Sequence, residues 1–366
     1  MKLGILTGGG DCPGLNAVVR AVVRRGVHEL GYAFVGIGNG YEGLMEPDLA
    51  SPLGLMEVRG ILHTGGTILG TSNKANPFAY AVAEGTRWVE KDLSERAVAR
   101  YHELGLDGLI CIGGDGTLSV AHRLGQLGLN VVGCPKTIDN DLSGTDQTFG
   151  FDTAVGIISE AIDRLHSTAE AHQRVMIVEI MGRNAGFLTL DGGISGGADI
   201  ILIPEIPYRV DSLVHTLERR WADRRKRRSS IIAISEGAFP EGGSMAVAAS
   251  AAEIPGRGVV RLGGAGKLLA DALAPRVNAE IRVNVLGHLQ RGGTPSSYDR
   301  VLATMCGALV LDLCRDGRWD HMVCLRNGKL DFVSLAESRK EKQVDPHGDK
   351  VRMCRAMGLS FGDETY

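Results

Sequence analysis

The sequence predicts an α/β protein built on largely parallel sheets, and three observations predict it. Short apolar runs lead repeatedly into glycine-rich turns and then into helical periodicities. Glycine supplies 51 of the 366 residues, about twice the average usage, with no collagen-like period, so tight turns and close backbone approaches are numerous. The length suggests about two domains, and a chain that is 44% hydrophobic and 23% charged can build a core, which excludes wholesale disorder.

Leu3 to Leu6 reads as the first strand, because a parallel strand covered on both faces shows an unbroken apolar run rather than an alternation. Thr7-Gly8-Gly9-Gly10-Asp11-Cys12-Pro13-Gly14 follows as a turn. Leu15, Val18, Val19, Val22, Val23, Val27 and Leu30 then recur at helical spacing. Ala33 to Ile37 is a second strand. Leu109 to Ile112 is a third, followed by Gly113-Gly114-Asp115-Gly116-Thr117 and another helical pattern; Val131 to Cys134 is a fourth. Val175 to Val178 and Ser230 to Ile234 repeat the scheme. Ligands in such sheets bind beyond the carboxyl ends of strands, where the direction of the connections reverses, and the glycine clusters fall at those ends. A boundary is expected at 141–155, after the polar stretch Asp139 to Asp146. Gly242 to Ala252 reads as a loop, and the charged tail beyond Leu335 as peripheral.

The formal net charge of −3 gives no global pull toward nucleic acid or an anionic membrane. The basic run Arg219 to Arg228 admits two readings, a nucleic-acid patch or the solvated end of an amphipathic helix. Leu213, Val214 and Leu217 before it favour the helix. The seven cysteines show no metal-type or CxxC spacing and read as reduced thiols of a cytoplasmic protein. Met1 to Thr7 is too short and too glycine-broken for a signal segment, and no apolar window is long enough to span a membrane.

Four segments carry chemistry. Thr7 to Gly14 offers backbone N–H groups without Cβ atoms, and the helix after it offers its positive end; this suits phosphate, or it is simply a strand–helix turn. It is neither a P-loop nor a dinucleotide fingerprint. Asp115, set among glycines at a strand end, can hold Mg²⁺ beside a nucleotide, or can cap the following helix. Pro135-Lys136-Thr137-Ile138-Asp139-Asn140-Asp141, if extended, aims Asp139 and Asp141 to one side beside a lysine: a base with a metal or positioning partner, or a polar surface turn. Met181-Gly182-Arg183-Asn184-Ala185-Gly186 and Gly287-His288-Leu289-Gln290-Arg291-Gly292-Gly293 each set an arginine among glycines. Arg174, Glu236 and Arg282 stand near strand ends. Arginine forks suit phosphate, although a single one is more often a surface ion pair.

Together, from Thr7-Gly8-Gly9-Gly10-Asp11 to Tyr298-Asp299-Arg300, these segments resemble the phosphofructokinase family over about residues 1–310. The resemblance implies two similar three-layer domains with mostly parallel sheets and an active site in the cleft between them. The first would be a nucleotide-binding domain of residues 1–150 with part of 290–330. The second, for the sugar phosphate, would be 151–289 with part of the C-terminal region. It implies phosphoryl transfer from ATP, with Mg²⁺, to the 1-hydroxyl of fructose 6-phosphate. Asp139 matches the general base, with Lys136 and Arg183 beside the transferred group, and Asp115 matches the Mg²⁺ ligand. Gly10, Asn73, Lys74, Gly114, Asp115, Gly116 and Thr117 match the nucleotide contacts. Thr137, Ile138, Met181, Gly182, Arg183, Glu236, His288, Leu289, Gln290 and Arg291 match sugar-phosphate contacts. Arg174 and Arg282 match arginines that reach the sugar phosphate from a neighbouring subunit, which implies a homodimer or homotetramer.

Asn73 stands where members using ATP often carry arginine, with Lys74 beside it to supply the charge. Gly116 is of the ATP type, whereas Lys136 is of the diphosphate type. Arg20 and Arg24 match two effector-site arginines, but His166 replaces a third, so effector regulation is not carried over. The alternatives are a diphosphate-dependent enzyme, a lipid or NAD kinase sharing the GGDG turn, and a non-catalytic phosphosugar or nucleotide sensor. The last is disfavoured because Asp115 and Asp139 are both present.

Overall fold

A computed structural model describes residues 1–85, 87–222, 228–247, 262–339 and 341–365. The chain divides into two compact units. The first holds residues 1–153 and 291–341; the described residues of the second fall in 154–247, 262–290 and 342–365.

The elements run in the order β1 (Lys2–Thr7), α1 (Leu15–Arg25), β2 (Ala33–Ile37), β3 (Ala50–Pro52), β4 (Tyr80–Glu84), β5 (Arg87–Lys91), α2 (Ser94–Glu103), β6 (Gly108–Gly113), α3 (Asp115–Gln126), β7 (Val131–Pro135) and α4 (Phe151–His172). They continue with β8 (Val175–Ile180), α5 (Phe187–Ser195), β9 (Ile200–Leu202), α6 (Val210–Ala222), β10 (Ser230–Ser235), α7 (Ala265–Leu273), β11 (Ile281–Val285), α8 (Ser297–Arg315), β12 (His321–Arg326), β13 (Lys329–Ser334) and α9 (Asp349–Ala356).

In the first unit a seven-stranded sheet has the order β13-β12-β7-β6-β1-β2-β3, and β4 and β5 form a separate hairpin. Its interior strands pair parallel; β3 and β13 are antiparallel edges. Every residue of β6 and β7 is buried, as continuous apolar runs require. α1 and α8 cross closely at Gly307, where a Cβ would lie 2.7 Å from Val18 O. Connections leave β1 toward β2 but leave β6 toward β7, so the switch point lies between β1 and β6.

The second unit carries a wholly parallel sheet in the order β11-β8-β10-β9. The chain leaves β8 toward β9 and β10 toward β11, so the second switch point lies between β8 and β10. The two sheets thus differ in size and in strand direction at their edges, although both are built of parallel β–α units.

Two expectations are corrected. The tail beyond Leu335 is not peripheral. Phe361 is fully buried, Ser360 O accepts the Ile201 N–H at 2.9 Å beside β9, and Arg355 pairs with Asp363 at 2.8 Å. A few spaced apolar residues anchor this charged segment, too few to show a period. The segment 135–141 is not extended. Asn140 takes φ 52°, and the Asp139 N–H donates to Thr137 Oγ1 at 3.0 Å, making a tight turn.

The basic run begins as the last turn of α6, whose Leu213, Leu217 and Trp221 are buried; Arg220 pairs with Asp199. Its continuation at 223–227, and the part of the 242–252 loop after 247, lie outside the described residues. All seven cysteines are free and buried. Burial pushes the Cys12, Cys111 and Cys314 thiols up to about 12.

Candidate active site

Each sheet carries its chemistry at its switch point. In the first unit the loops after β1 and β6 are tied by Gly8 N–H donating to Ile112 O at 2.9 Å. Thr117 packs under both, so a Cβ on Gly8 or Gly113 would meet it at 2.7 or 2.3 Å. Thr117 is buried, its carbonyl taking the Tyr41 hydroxyl at 2.7 Å; Asp115 and Gly116 are left exposed at the N-terminus of α3. Gly114, not Asp115, is the N-cap, and no side chain caps the helix. The capping reading of Asp115 therefore does not hold. Its carboxylate stands at the positive end of the helix, where unpaired N–H groups collect anionic oxygens.

The 71–75 segment lies against the β1 loop. Thr71 Oγ1 donates to Gly9 O at 2.6 Å, and Gly9 N–H donates to Ser72 O at 3.1 Å. Asn73 and Lys74 are exposed next to it. Gly10 is a close approach: a Cβ there would lie 2.7 Å from Arg291 Nη1. Arg291 Nη1 also donates to Asp11 O at 3.2 Å. Although adjacent in sequence to the His288 turn, Arg291 thus belongs to the β1 loop.

The turn after β7 completes the cluster of loops in the first unit. Lys136 is buried and its ammonium donates to Gly10 O; burial lowers its pKa. Ile138 is fully buried, so only its backbone can face a ligand. Thr148 bonds both ends of the turn, its N–H to Asn140 Oδ1 at 3.1 Å and its hydroxyl to Thr137 O at 2.8 Å. Asp139 Oδ1 is buried with no donor among the described residues. Burial pushes the Asp139 carboxyl up, against the pull of Arg291, Thr137 and Lys136, and Asp115 adds a small push. Burial, then Asp139 and Asp115, carry Asp141 to about 7.

These carboxylates feel one another, and a cation would relieve them. Among the described residues no group of three or more His, Cys, Asp and Glu surrounds a metal position. Mg²⁺ does not need one, because it takes one or two carboxylates and completes its shell with phosphate oxygens and water. Asp115, which caps no helix and has the charge of Asp139 within electrostatic reach, fits that demand.

In the second unit the loop after β8 holds Met181, Gly182 and Arg183, and the loop after β10 holds Glu236. Gly182 has φ 138° and its carbonyl takes the Ser235 hydroxyl at 2.5 Å, which joins the two loops. Arg183 and Glu236 are half-buried. His288 is exposed and Leu289 is 70% exposed. Gln290 is fully buried, with its oxygen on Met181 N–H at 3.3 Å and its nitrogen on Gly287 O at 3.1 Å. It braces the loops and has no free face for a substrate. Glu205, which no sequence pattern marked, accepts the Gly186 N–H at 2.9 Å.

Arg174 and Arg282 lie elsewhere. Arg174 immediately precedes β8 and Arg282 sits at the start of β11, so both stand at the amino edge of the sheet, opposite the Arg183 loop. Glu280 pairs with both.

The family model described as Phosphofructokinase matches residues 2–314. The chain is 47% identical to an ATP-dependent 6-phosphofructokinase 2 of Clostridium perfringens, over 99% of this chain and 98% of that one. It is 50% identical to a pyrophosphate–fructose 6-phosphate 1-phosphotransferase of Amycolatopsis mediterranei, over 94% and 96%. Among solved structures it is similar to the phosphofructokinase of Pichia pastoris, at a TM-score of 0.78 and 31% identity. That match covers 92% of this chain but only 35% of the longer Pichia chain. Motifs at both switch points and a family match over most of its length agree: the chain belongs to the phosphofructokinase family.

Proposed function

We infer that the chain transfers the terminal phosphoryl group of ATP to the 1-hydroxyl of fructose 6-phosphate, giving fructose 1,6-bisphosphate and ADP. The observation that carries the reading is Asp139 Oδ1, a buried carboxylate oxygen with no donor among the described residues, beside the Lys136 ammonium. It is an acceptor awaiting a proton next to a cation awaiting phosphate.

Phosphoryl transfer asks for alignment and charge neutralisation more than for covalent help. Asp139 accepts the hydroxyl proton as the sugar oxygen attacks. Lys136 and Arg183 offset charge on the transferred group, and the N–H groups after Gly114 hold nucleotide phosphates. Asp115, with the orphaned oxygen of Asp139 within electrostatic reach, would hold Mg²⁺, which neutralises phosphate charge when bound. Met181, Gly182, Glu236 and His288 orient the sugar phosphate, so that binding far from the reacting atoms is turned into orientation. The first unit thus serves the nucleotide and the second the sugar phosphate. The free thiols and the lack of a helix long and apolar enough to cross a membrane, among the described residues, agree with a cytoplasmic enzyme.

Purified protein with fructose 6-phosphate, Mg²⁺ and either ATP or diphosphate tests the reading. Turnover with neither donor would refute it. Diphosphate is the second reading, favoured by Lys136 and by relatives such as that of Amycolatopsis.

Arg174 and Arg282 support a homo-oligomer, a dimer or tetramer, with shared sites. β8 has six residues, about 20 Å of extended chain, between Arg174 and the Arg183 loop. Arginines at that edge serve a neighbour's sugar phosphate rather than their own. Arg174→Ala and Asp139→Asn subunits should each be nearly inactive alone and regain activity when mixed, because some sites receive an intact copy of each residue. A fully active monomer in sedimentation would end this reading.

A further inference from the structure

The chain makes its last crossing between the units after Glu341, and on each side of that crossing its residues touch loops described above. In the first unit Glu341 pairs antiparallel with Leu142, next to Asp141. In the second, Gln343 Nε2 donates to Asn184 O at 3.4 Å, and the Lys342 ammonium lies 5.2 Å from the centre of the Phe187 ring. The Val344 N–H donates to Glu205 Oε1 at 2.8 Å. Glu205 is the hub of these contacts, because its two oxygens also receive the Gly186 N–H at 2.9 and 3.1 Å.

Gly186 ends the loop that carries Arg183 and is the N-cap of α5. The Glu205 carboxylate therefore closes the loop, faces the positive end of a helix and grips the tail at once, through charge-assisted bonds. Beyond Val344 the tail is itself fixed. Lys350 pairs with Asp191 of α5 at 2.6 Å, Arg209 N–H donates to Gly362 O at 2.8 Å, and Phe361 is fully buried. The tail lies past residue 314, where the family match ends.

The Arg183 loop needs such a brace. Its first half is already held, by Gln290 on the Met181 N–H and by Ser235 on the Gly182 carbonyl, but its far end at Gly186 has Glu205 as its tie. A loose loop pays its ordering cost when the sugar phosphate binds, which weakens binding and leaves the chemical step alone.

We propose that Glu205 and the Val344 backbone are positioning elements for the sugar-phosphate loop: together they hold Met181 to Gly186 in the form in which Arg183 meets the substrate. The proposal rests on the assignment of Arg183 to the sugar phosphate.

Steady-state kinetics of the full chain tests it. Glu205→Ala is expected to raise KM for fructose 6-phosphate about tenfold, with kcat and the donor KM within about twofold. Glu205→Gln should restore KM to within about threefold of the parent, because its carbonyl oxygen can accept both N–H groups. Val344→Pro removes the donor N–H and should raise the same KM, with Val344→Ala, which trims the buried side chain but keeps the N–H, as its control; the pair carries the test alone if Glu205→Ala does not fold. Arg183→Ala is the control. If it leaves KM unchanged, the Arg183 assignment falls and the brace with it. If it raises KM while Glu205→Ala and Val344→Pro stay within about twofold, the brace alone is overturned. A fall in kcat and thermal stability with KM unmoved would likewise overturn it, since that is what a merely structural contact does.

Discussion

Asp139→Asn should lower kcat by about 10²–10⁴-fold, the usual worth of a general base, while KM for fructose 6-phosphate changes little. The substitution keeps the shape of the turn. The Thr137 Oγ1 that receives the residue's own N–H stays in place, and Lys136 keeps its bond to Gly10 O. What disappears is a carboxylate oxygen basic enough to take the proton, and one negative charge within reach of Asp115. The pH profile gives an independent reading. Burial raises the Asp139 carboxyl above the ordinary range, and a base works only when ionised. Activity is therefore lost as pH falls through that raised value, at a higher pH than for an exposed aspartate. Burial and the charge of Asp139 raise the neighbouring Asp141 to about 7, so the acid limb of kcat/KM carries a second titration beside that of the base. In Asp139→Asn the residual activity should lose the part of this limb that the base contributes. Near-parental kcat in a folded variant would remove Asp139 from the mechanism.

Gly116→Asp should suppress ATP use by at least about a hundredfold. Gly116 is exposed at the N-terminus of α3, and a Cβ there would meet nothing within 4 Å among the described residues. Its φ is not in the left-handed region, so neither packing nor backbone strain calls for glycine. The fold should accept the aspartate, and its effect should fall on the ligand. If Gly116 meets the nucleotide as proposed, a carboxylate there would occupy the space of the α-phosphate of ATP and repel it. At close range in a partly dry site that repulsion costs on the order of several kcal/mol, enough for the expected loss. Diphosphate has no such group, so its use should suffer less. Comparing kcat/KM for both donors in the parent and the variant decides the matter. Undiminished ATP turnover in the variant would sink the steric argument, and a parent preferring diphosphate would reassign the donor.

The interior strands could be read from sequence because each is covered on both faces. Leu3 to Leu6, Leu109 to Ile112 and Val175 to Val178 lie within β1, β6 and β8, which the structure extends by only a residue or two. The hairpin of β12 and β13 went unread, although Asn327-Gly328 marked it. Both residues take positive φ, 50° and 71°, which a two-residue hairpin turn demands. The turn at Asn140 is hidden for another reason: the two-residue spacing of Asp139 and Asp141 fits an extended chain, while asparagine tolerates the left-handed region that breaks it. Motif spacing located the loops at the switch points but not the use made of each side chain. Gln290 reads as a contact and is a brace; Arg291 follows His288 yet sits on the β1 loop. Glu205 and the tail belong to no periodic pattern, because hydrogen bonds to scattered backbone groups leave no trace in hydrophobicity.

The buried cysteines make the folded chain its own opening sensor. Thiol reagents attack thiolates; burial covers all seven thiols and pushes those of Cys12, Cys111 and Cys314 up, which holds these three protonated. Cys12, Cys111, Cys134, Cys306, Cys314 and Cys324 all lie in the first unit, whereas Cys354 sits alone in the second, on α9. Brief alkylation followed by peptide mapping therefore distinguishes two events without any engineered label. Alkylation of Cys354 reports release of the C-terminal helix, and alkylation of the other six reports opening of the unit that holds the seven-stranded sheet. That helix belongs to the same tail whose Val344 N–H bonds Glu205, so comparing Cys354 alkylation in the parent and in Glu205→Ala reads whether the grip and the helix are released together.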